Sequence, residues 1–177
     1  MKKAIFGGSF DPPHSGHLEI IQQTIISLNI DELIVVPAFL NPFKSKYKAP
    51  CELRLKWLKA MTVDMPLVKV SSYEIDQNRP VPSIQTVKHF KDEDETYFII
   101  GADNLEGLPS WKNFKELDQM VTWVVASRDD IKIPEGFVTL DVNQNISATQ
   151  LRKSIDAAYL DKNVAHEIID FYKEPIK

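Results

Sequence analysis

Short runs rich in β-branched and aromatic residues alternate along the chain with longer stretches whose apolar positions recur every three or four residues. KAIFGG near 2–7, ELIVVPA near 32–38, LVKVSS near 67–72, TYFIIGA near 96–102 and VTWVVAS near 121–127 read as strands, with VTLDV near 138–142 as a sixth. Between them Leu18, Ile21, Ile25 and Leu28 share one helical stripe; Leu55, Leu58 and Met61 form a second, and Ile84, Val87 and Phe90 a third. Such alternation predicts βαβ units around a parallel sheet, an α/β fold of the doubly wound type. From Ser147 onward the pattern is helical only, first SATQLRKSIDAAYL and then NVAHEIIDFYKE, which predicts C-terminal helices packed on the same sheet. Pro42, Pro50, Pro80 and Pro82 separate elements, and no repeat or Gly/Ser linker divides the chain, so residues 1–177 are expected to form a single domain. In open parallel sheets ligands bind beyond the carboxyl ends of the strands, so the loops after the strands are the place to look for chemistry.

Composition narrows the function classes. With 44% hydrophobic and 26% charged residues the chain is not a disordered one. A domain of this size buries roughly 70% of its unfolded surface, enough for a core without disulfides or a structural metal. The longest unbroken apolar run, Leu33 to Leu40, is far shorter than the ~20 residues of a spanning helix, and MKKAIFGGSFD lacks a secretory h-region, so a cytoplasmic protein away from membranes is expected. The balance of 21 basic against 25 acidic residues, a formal charge of -4, argues against a nucleic-acid coat or an RNA-binding module. Cys51, the single cysteine, reads as an inert thiol and excludes a thiolate zinc cluster.

The loop after the first strand carries the densest chemistry: Gly7, Gly8, Ser9, Phe10, Asp11, Pro12, Pro13, His14, Ser15, Gly16, His17, then a helix. Adjacent glycines let backbone approach a ligand without a Cβ in the way, and the two prolines hold the chain extended before the helix. His14 and His17 straddle Gly16 where unpaired helical N–H groups and the positive dipole end favour phosphate, so two imidazoles there complete an anion cradle. Singly, each histidine reads as a capping or surface residue. As zinc ligands they lack partners, since the chain offers only His89 and His166 besides and no HExxH pattern, and no protein metal site is expected. Neither a P-loop nor a GxGxxG fingerprint is present.

GxFDPxHxGH resembles the signature of the HxGH nucleotidyltransferases, which move a nucleotidyl group from a nucleoside triphosphate to a phosphate acceptor. The resemblance implies a Rossmann-like α/β fold. Class I aminoacyl-tRNA synthetases share the histidine motif but are far longer. The family's second motif, ISxTxxR at a helix start, is matched by Ile146, Ser147, Ala148, Thr149, Gln150, Leu151 and Arg152, with alanine where serine is common. A permanent cation one turn into a helix suits a leaving pyrophosphate. Ser147 with Gln150 is equally a plain capping box, and capping and binding can coexist.

Within that superfamily the remaining segments look most like the bacterial nicotinate-nucleotide adenylyltransferases. VVPAFLNPFKSK is similar to a family loop that would make Lys44 the cationic arm over the triphosphate, though Asn41 and Phe43 depart from its pattern; Lys44 also fits a solvated lysine beside Lys46 and Lys48. YFIIGADNLEGLPSWKNFKEL resembles the segment after the fourth strand, where Asp103 would accept hydrogen bonds from ribose and Trp111 would stack on the pyridine ring, a contact worth about 1 kcal/mol beyond area burial. Pattern alone leaves Trp111 open as a core residue and Asp103 as a turn carboxylate. In RPVPSIQTVKHF, Ser83 and Thr86 match two threonine positions while Val81 and Pro82 replace serine and tyrosine; Arg128 matches an arginine beside the nucleotide, or is a surface cation.

The resemblance therefore implies adenylyl transfer from ATP to nicotinate mononucleotide, giving deamido-NAD and pyrophosphate. The implied site comprises His14, His17, Lys44 and Arg152 for catalysis; Gly7, Gly8, Ser9, Phe10, Gly16, Arg128, Ser147 and Thr149 for ATP; and Ser83, Thr86, Asp103 and Trp111 for the mononucleotide. Mg²⁺ is expected to arrive with ATP, held by substrate and water. The competing readings are an adenylyl- or cytidylyltransferase of the same fold acting on another acceptor such as phosphopantetheine, and a non-catalytic nucleotide-binding domain. GADNLEGLPSW argues against the first, and retention of His14, His17 and Arg152 against the second.

Overall fold

The computed structural model describes residues 1–39, 49–128, 130–143 and 146–173. Six strands, β1 (Lys3–Gly8), β2 (Glu32–Pro37), β3 (Val68–Val70), β4 (Thr96–Gly101), β5 (Thr122–Ala126) and β6 (Val138–Leu140), pair in the order β3-β2-β1-β4-β5-β6. Every pairing is parallel, so the sheet is doubly wound as the alternating pattern predicts. The chain moves outward from β1 through β2 to β3, then returns to lay β4 against the other side of β1. That reversal places the switch point of the sheet at the carboxyl ends of β1 and β4, where doubly wound folds bind ligands and where the glycine-histidine loop begins.

Period-two alternation divides the strand residues between two cores. Ile5, Ile34, Val36, Phe98, Ile100, Trp123 and Val125 face one side, where Ile84 and Val87 of α4 (Ser83–Phe90) and Leu117 of α5 (Phe114–Met120) cover them. Ala4, Phe6, Leu33, Val35, Ile99 and Val124 face the other, against Ile21 of α1 (Ser15–Ser27) and Leu58 of α2 (Cys51–Met61). These strands are apolar almost without interruption because both faces are covered. No helix among the described residues is long and apolar enough to cross a membrane.

Three features differ from the sequence reading. The short helix α3 (Tyr73–Asp76) and the helix α5 had no apolar stripe long enough to announce them. The segment from Ser147 to Leu160 is not one helix: α6 (Ala148–Lys153) stops at Ser154, which is extended at φ -148°, and a 3₁₀ turn at Ala157–Tyr159 follows, capped by Asp156 accepting from Ala158 N–H. The Asp156 carboxylate here offers the backbone an alternative to helical bonding. Finally, α6 and α7 (Ala165–Lys173) do not pack directly on the sheet. Their Leu151 and Ile168 join Trp57 and Met61, on α2, in a third cluster that contains no strand residue among the described positions. The C-terminal helices thus form an outer layer over α2.

Candidate active site

Gly7 and Gly8 finish β1, opposite Val36 and Pro37, rather than opening the loop. A Cβ at Gly8 would lie 3.2 Å from the Phe10 ring, so this glycine is spent on seating Phe10. Phe10 adopts φ 51° and is 1% exposed, edge-on to Phe6 at 5.3 Å and to His17 at 4.8 Å between centroids. Its side chain forms the floor under His17, leaving only its backbone for a ligand. The peptide bond from Asp11 to Pro12 is cis.

His14 caps α1: its Nδ1 accepts from Gly16 N–H at 3.1 Å, and its own N–H donates to His17 Nδ1 at 3.0 Å. A backbone N–H needs a lone pair to bond to, so both Nδ1 atoms are unprotonated and each neutral ring carries its hydrogen on Nε2. The rings stack with centroids 3.7 Å apart and planes 26° apart. His14 is buried and His17 half buried. Burial, and secondarily the positive charge of Arg128, holds His14 down to about 3, so it stays uncharged at neutral pH. The pair is therefore two parallel neutral donors rather than two cations. Gly16 makes this possible, since a Cβ there would stand 2.9 Å from His14 Cε1 and 3.0 Å from its Nδ1.

The second motif meets this loop directly. Ser147 Oγ accepts from Gln150 N–H at 3.1 Å and Gln150 Oε1 accepts from Ser147 N–H at 3.2 Å, so the capping box is present. Arg152 donates from Nη1 to the Asp11 carbonyl at 2.6 Å and from Nη2 to Thr149 Oγ1 at 3.3 Å, with Asp11 Oδ2 at 3.7 Å. Ile146 packs beside Gly16. Two segments 141 residues apart in sequence thus form one surface.

Beyond β4 and β5, Asp103 and Arg128 face each other with Oδ2 and Nη1 3.9 Å apart. Asp103 is exposed, in a 3₁₀ turn at Ala102–Asn104. Trp111 is half buried, edge-on to Phe98 and Trp123 at 6.2 Å each, and lines an open hollow with Pro109, Asn113 and Phe114. It therefore has both a packed edge and an exposed part. Ser83 opens α4 and is half buried. Thr86 is 2% exposed, and its hydroxyl lies beside the buried Glu74 carboxyl, so the fold does not bring that side chain to the surface. Lys44 lies outside the described residues.

Three residues at the site were passed over in the sequence. Arg54 is wholly buried; it donates from Nη1 to Ser9 O (2.6 Å), from Nη2 to Ala38 O (2.9 Å) and from Nε to Ala49 O (3.1 Å). One guanidinium so gathers the first loop, the end of β2 and the approach to α2, with Cys51 Sγ 3.2 Å from Nη2. The signal was there, because Arg54 shares a helical stripe with Leu58 and Met61. Asp11, 1% exposed, accepts Ala49 N–H at 3.0 Å and the Tyr172 hydroxyl. Asp11 stood inside the motif; Tyr172 had no local signal.

Residues 5–154 match the model of the cytidylyltransferase-like family. The chain is 51% identical over 172 residues to a probable nicotinate-nucleotide adenylyltransferase of Sulfurimonas denitrificans, covering 97% of this chain and 94% of that one. It is 46% identical to the protein of the same description from Campylobacter fetus, over 98% of each. Among solved structures, the fold is similar to Plasmodium falciparum nicotinic acid mononucleotide adenylyltransferase complexed with NaAD, at TM-score 0.76, 21% identity and coverage of 97% and 96%. It is also similar to a putative nicotinate-nucleotide adenylyltransferase from Vibrio parahaemolyticus, at TM-score 0.71, 20% identity and coverage of 95% and 98%. With paired imidazoles on the loop at the sheet's reversal and relatives matching nearly end to end, the chain belongs to the cytidylyltransferase-like family and, within it, to the nicotinate-nucleotide adenylyltransferases.

Proposed function

We propose that the protein transfers the adenylyl group of ATP to nicotinate mononucleotide, forming deamido-NAD and pyrophosphate in NAD biosynthesis. The observation that supports this most is the joined surface of the stacked His14–His17 pair and Arg152, which stands where a triphosphate would enter a doubly wound sheet. An oxygen of the mononucleotide 5′-phosphate attacks the α-phosphorus of ATP in line; a new P–O bond forms as the bond to the β-bridging oxygen breaks, and that electron pair leaves with pyrophosphate. The attacking oxygen is already anionic, so no protein base is required and no proton need move. Catalysis then rests on alignment and on stabilising the charge that grows at the leaving oxygens.

In this reading the two Nε2–H groups donate to the α-phosphate, with His17 nearest, and their neutrality spares them the desolvation of a buried cation. Arg152 and Lys44 take the charge of the leaving group; Ser147, Thr149, Gly16 and the backbone of Gly7 to Phe10 border the polyphosphate, and Arg128 the nucleotide. Asp103 and Ser83 face the acceptor's polar groups and Trp111 its ring. A divalent cation accompanies such a triphosphate, and we assign Mg²⁺. Among the described residues no three His, Cys, Asp or Glu side chains cluster to hold a metal; in this reading phosphate oxygens and water carry the ion. Bound there, it would neutralise phosphate charge. The whole chain acts as one cytoplasmic unit.

Pyrophosphate release measured with ATP and a panel of acceptors tests the assignment. Turnover is expected with nicotinate mononucleotide and not with phosphopantetheine; the reverse preference overturns it. The His17→Ala variant should lose at least a hundredfold in turnover, about 3 kcal/mol of transition-state stabilisation, and near-normal kinetics would remove His17 from the mechanism.

A further inference from the structure

The last described helix, α7, reaches the phosphate-binding surface through Tyr172. Phe171 and Tyr172 pack against Trp57 of α2, with ring centroids 5.9 Å and 6.1 Å away, which fixes α7 over α2. From that seat the Tyr172 hydroxyl donates to Asp11 Oδ1, which also accepts Ala49 N–H at 3.0 Å. The other carboxylate oxygen, Oδ2, faces Arg152 Nη1 at 3.7 Å, and the carbonyl of the same Asp11 accepts from that nitrogen at 2.6 Å. A guanidinium has five N–H donors in a rigid plane, so anchoring one edge on Asp11 and another on Thr149 sets which edge faces a ligand.

We propose that Tyr172 and Asp11 are positioning residues for Arg152: the phenol of the C-terminal helix orients the Asp11 carboxylate, and the carboxylate and its carbonyl aim the guanidinium at the polyphosphate. Burial and the carboxylate beside it push the Tyr172 hydroxyl well above its ordinary range, which keeps it a donor at every working pH. This inference rests on the adenylyl-transfer reading only for the identity of the anion that Arg152 meets.

The Tyr172→Phe variant removes one oxygen and keeps the ring that packs on Trp57, so it tests the link without emptying the core. Losing one hydrogen bond to a charged group is expected to raise KM for ATP and Kd for a non-hydrolysable ATP analogue about tenfold. KM for the mononucleotide should stay within twofold of wild type. In the Arg152→Lys background, which loses the planar fork, adding Tyr172→Phe should bring little further loss, because the phenol acts only through Arg152. Wild-type values for ATP in Tyr172→Phe, equal losses for both substrates, or losses that multiply in the double variant would each overturn the proposal. The analogue Kd keeps this failure distinct from failure of the proposed function: a wild-type protein that binds the analogue but transfers nothing to any acceptor refutes the activity, while the Kd comparison still decides the role of Tyr172.

Discussion

Replacing Gly16 by alanine separates the geometry of the histidine pair from the stability of the fold. The new Cβ would stand 2.9 Å from His14 Cε1 and 3.0 Å from His14 Nδ1, closer than side-chain carbons pack. The ring has little room to retreat, since His17 stacks on it at 3.7 Å and the chain around it is buried. Moving it breaks the 3.1 Å bond from Gly16 N–H and with it the lock on the Nε2–H tautomer. Loss of one well-placed donor to a developing phosphate charge costs about 3 kcal/mol, or two to three orders of magnitude in turnover. Folding is perturbed far less. Gly16 sits in the first turn of α1, and alanine is favoured over glycine in a helix by roughly 0.5–1 kcal/mol, which offsets part of the crowding. The expected result is a kcat for pyrophosphate release at least a hundredfold below wild type, with the urea-unfolding free energy within about 1 kcal/mol of it. A Gly16→Ala protein with kcat within threefold of wild type would show that the ring's placement does not govern the reaction.

Trp111→Ala should raise KM for nicotinate mononucleotide at least tenfold more than KM for ATP; equal changes in steady-state kinetics would make Trp111 a packing residue of the Phe98–Trp123 cluster. Arg54→Met leaves three carbonyls without this donor, two of them in buried bonds, and should lower the denaturant-unfolding free energy by more than about 3 kcal/mol, with Arg54→Lys recovering only part; a loss below about 1 kcal/mol would refute the clamp. Burial pushes the Glu74 carboxyl from 4.5 up to about 8, so the folded protein keeps its proton while the unfolded chain releases it. Stability should therefore fall as pH rises between those values, by about 3 kcal/mol at pH 7 from this group. Glu74→Gln should flatten that slope in unfolding curves taken across pH 5–8, and an unchanged slope would contradict it.

The sheet was legible because both of its faces are covered. Buried parallel strands become runs such as ELIVVPA and TYFIIGA, which few other structures produce. The first loop was legible for a different reason: capping, tautomer control and close approach all demand particular residues at fixed spacing, and GGSFDPPHSGH states them in order. Side chains that act across the chain left weaker marks. Arg54 occupies an apolar stripe, and the backbone carbonyls it gathers from three segments are acceptors that sequence cannot display. Tyr172 meets Asp11 only because α7 lies over α2, a placement set by Trp57, Leu151 and Ile168 rather than by any local pattern. Thr86 matched a motif position, yet the turn of α4 carries it inward beside Glu74. The helix expected from Ser147 to Leu160 stops at the extended Ser154, and Asp156 takes the Ala158 N–H to cap the 3₁₀ turn that follows.

The account depends on the imidazole pair and Arg152 holding one polyphosphate between them, and a crystal structure of the protein with a non-hydrolysable ATP analogue tests that most directly. Oxygens of the α-phosphate are expected about 3 Å from Nε2 of His14 and His17, with both Nδ1 atoms still bound to backbone N–H groups and Arg152 on the β- or γ-phosphate. An analogue seated away from Arg152, or imidazoles turned so that Nδ1 meets the phosphate, would contradict it.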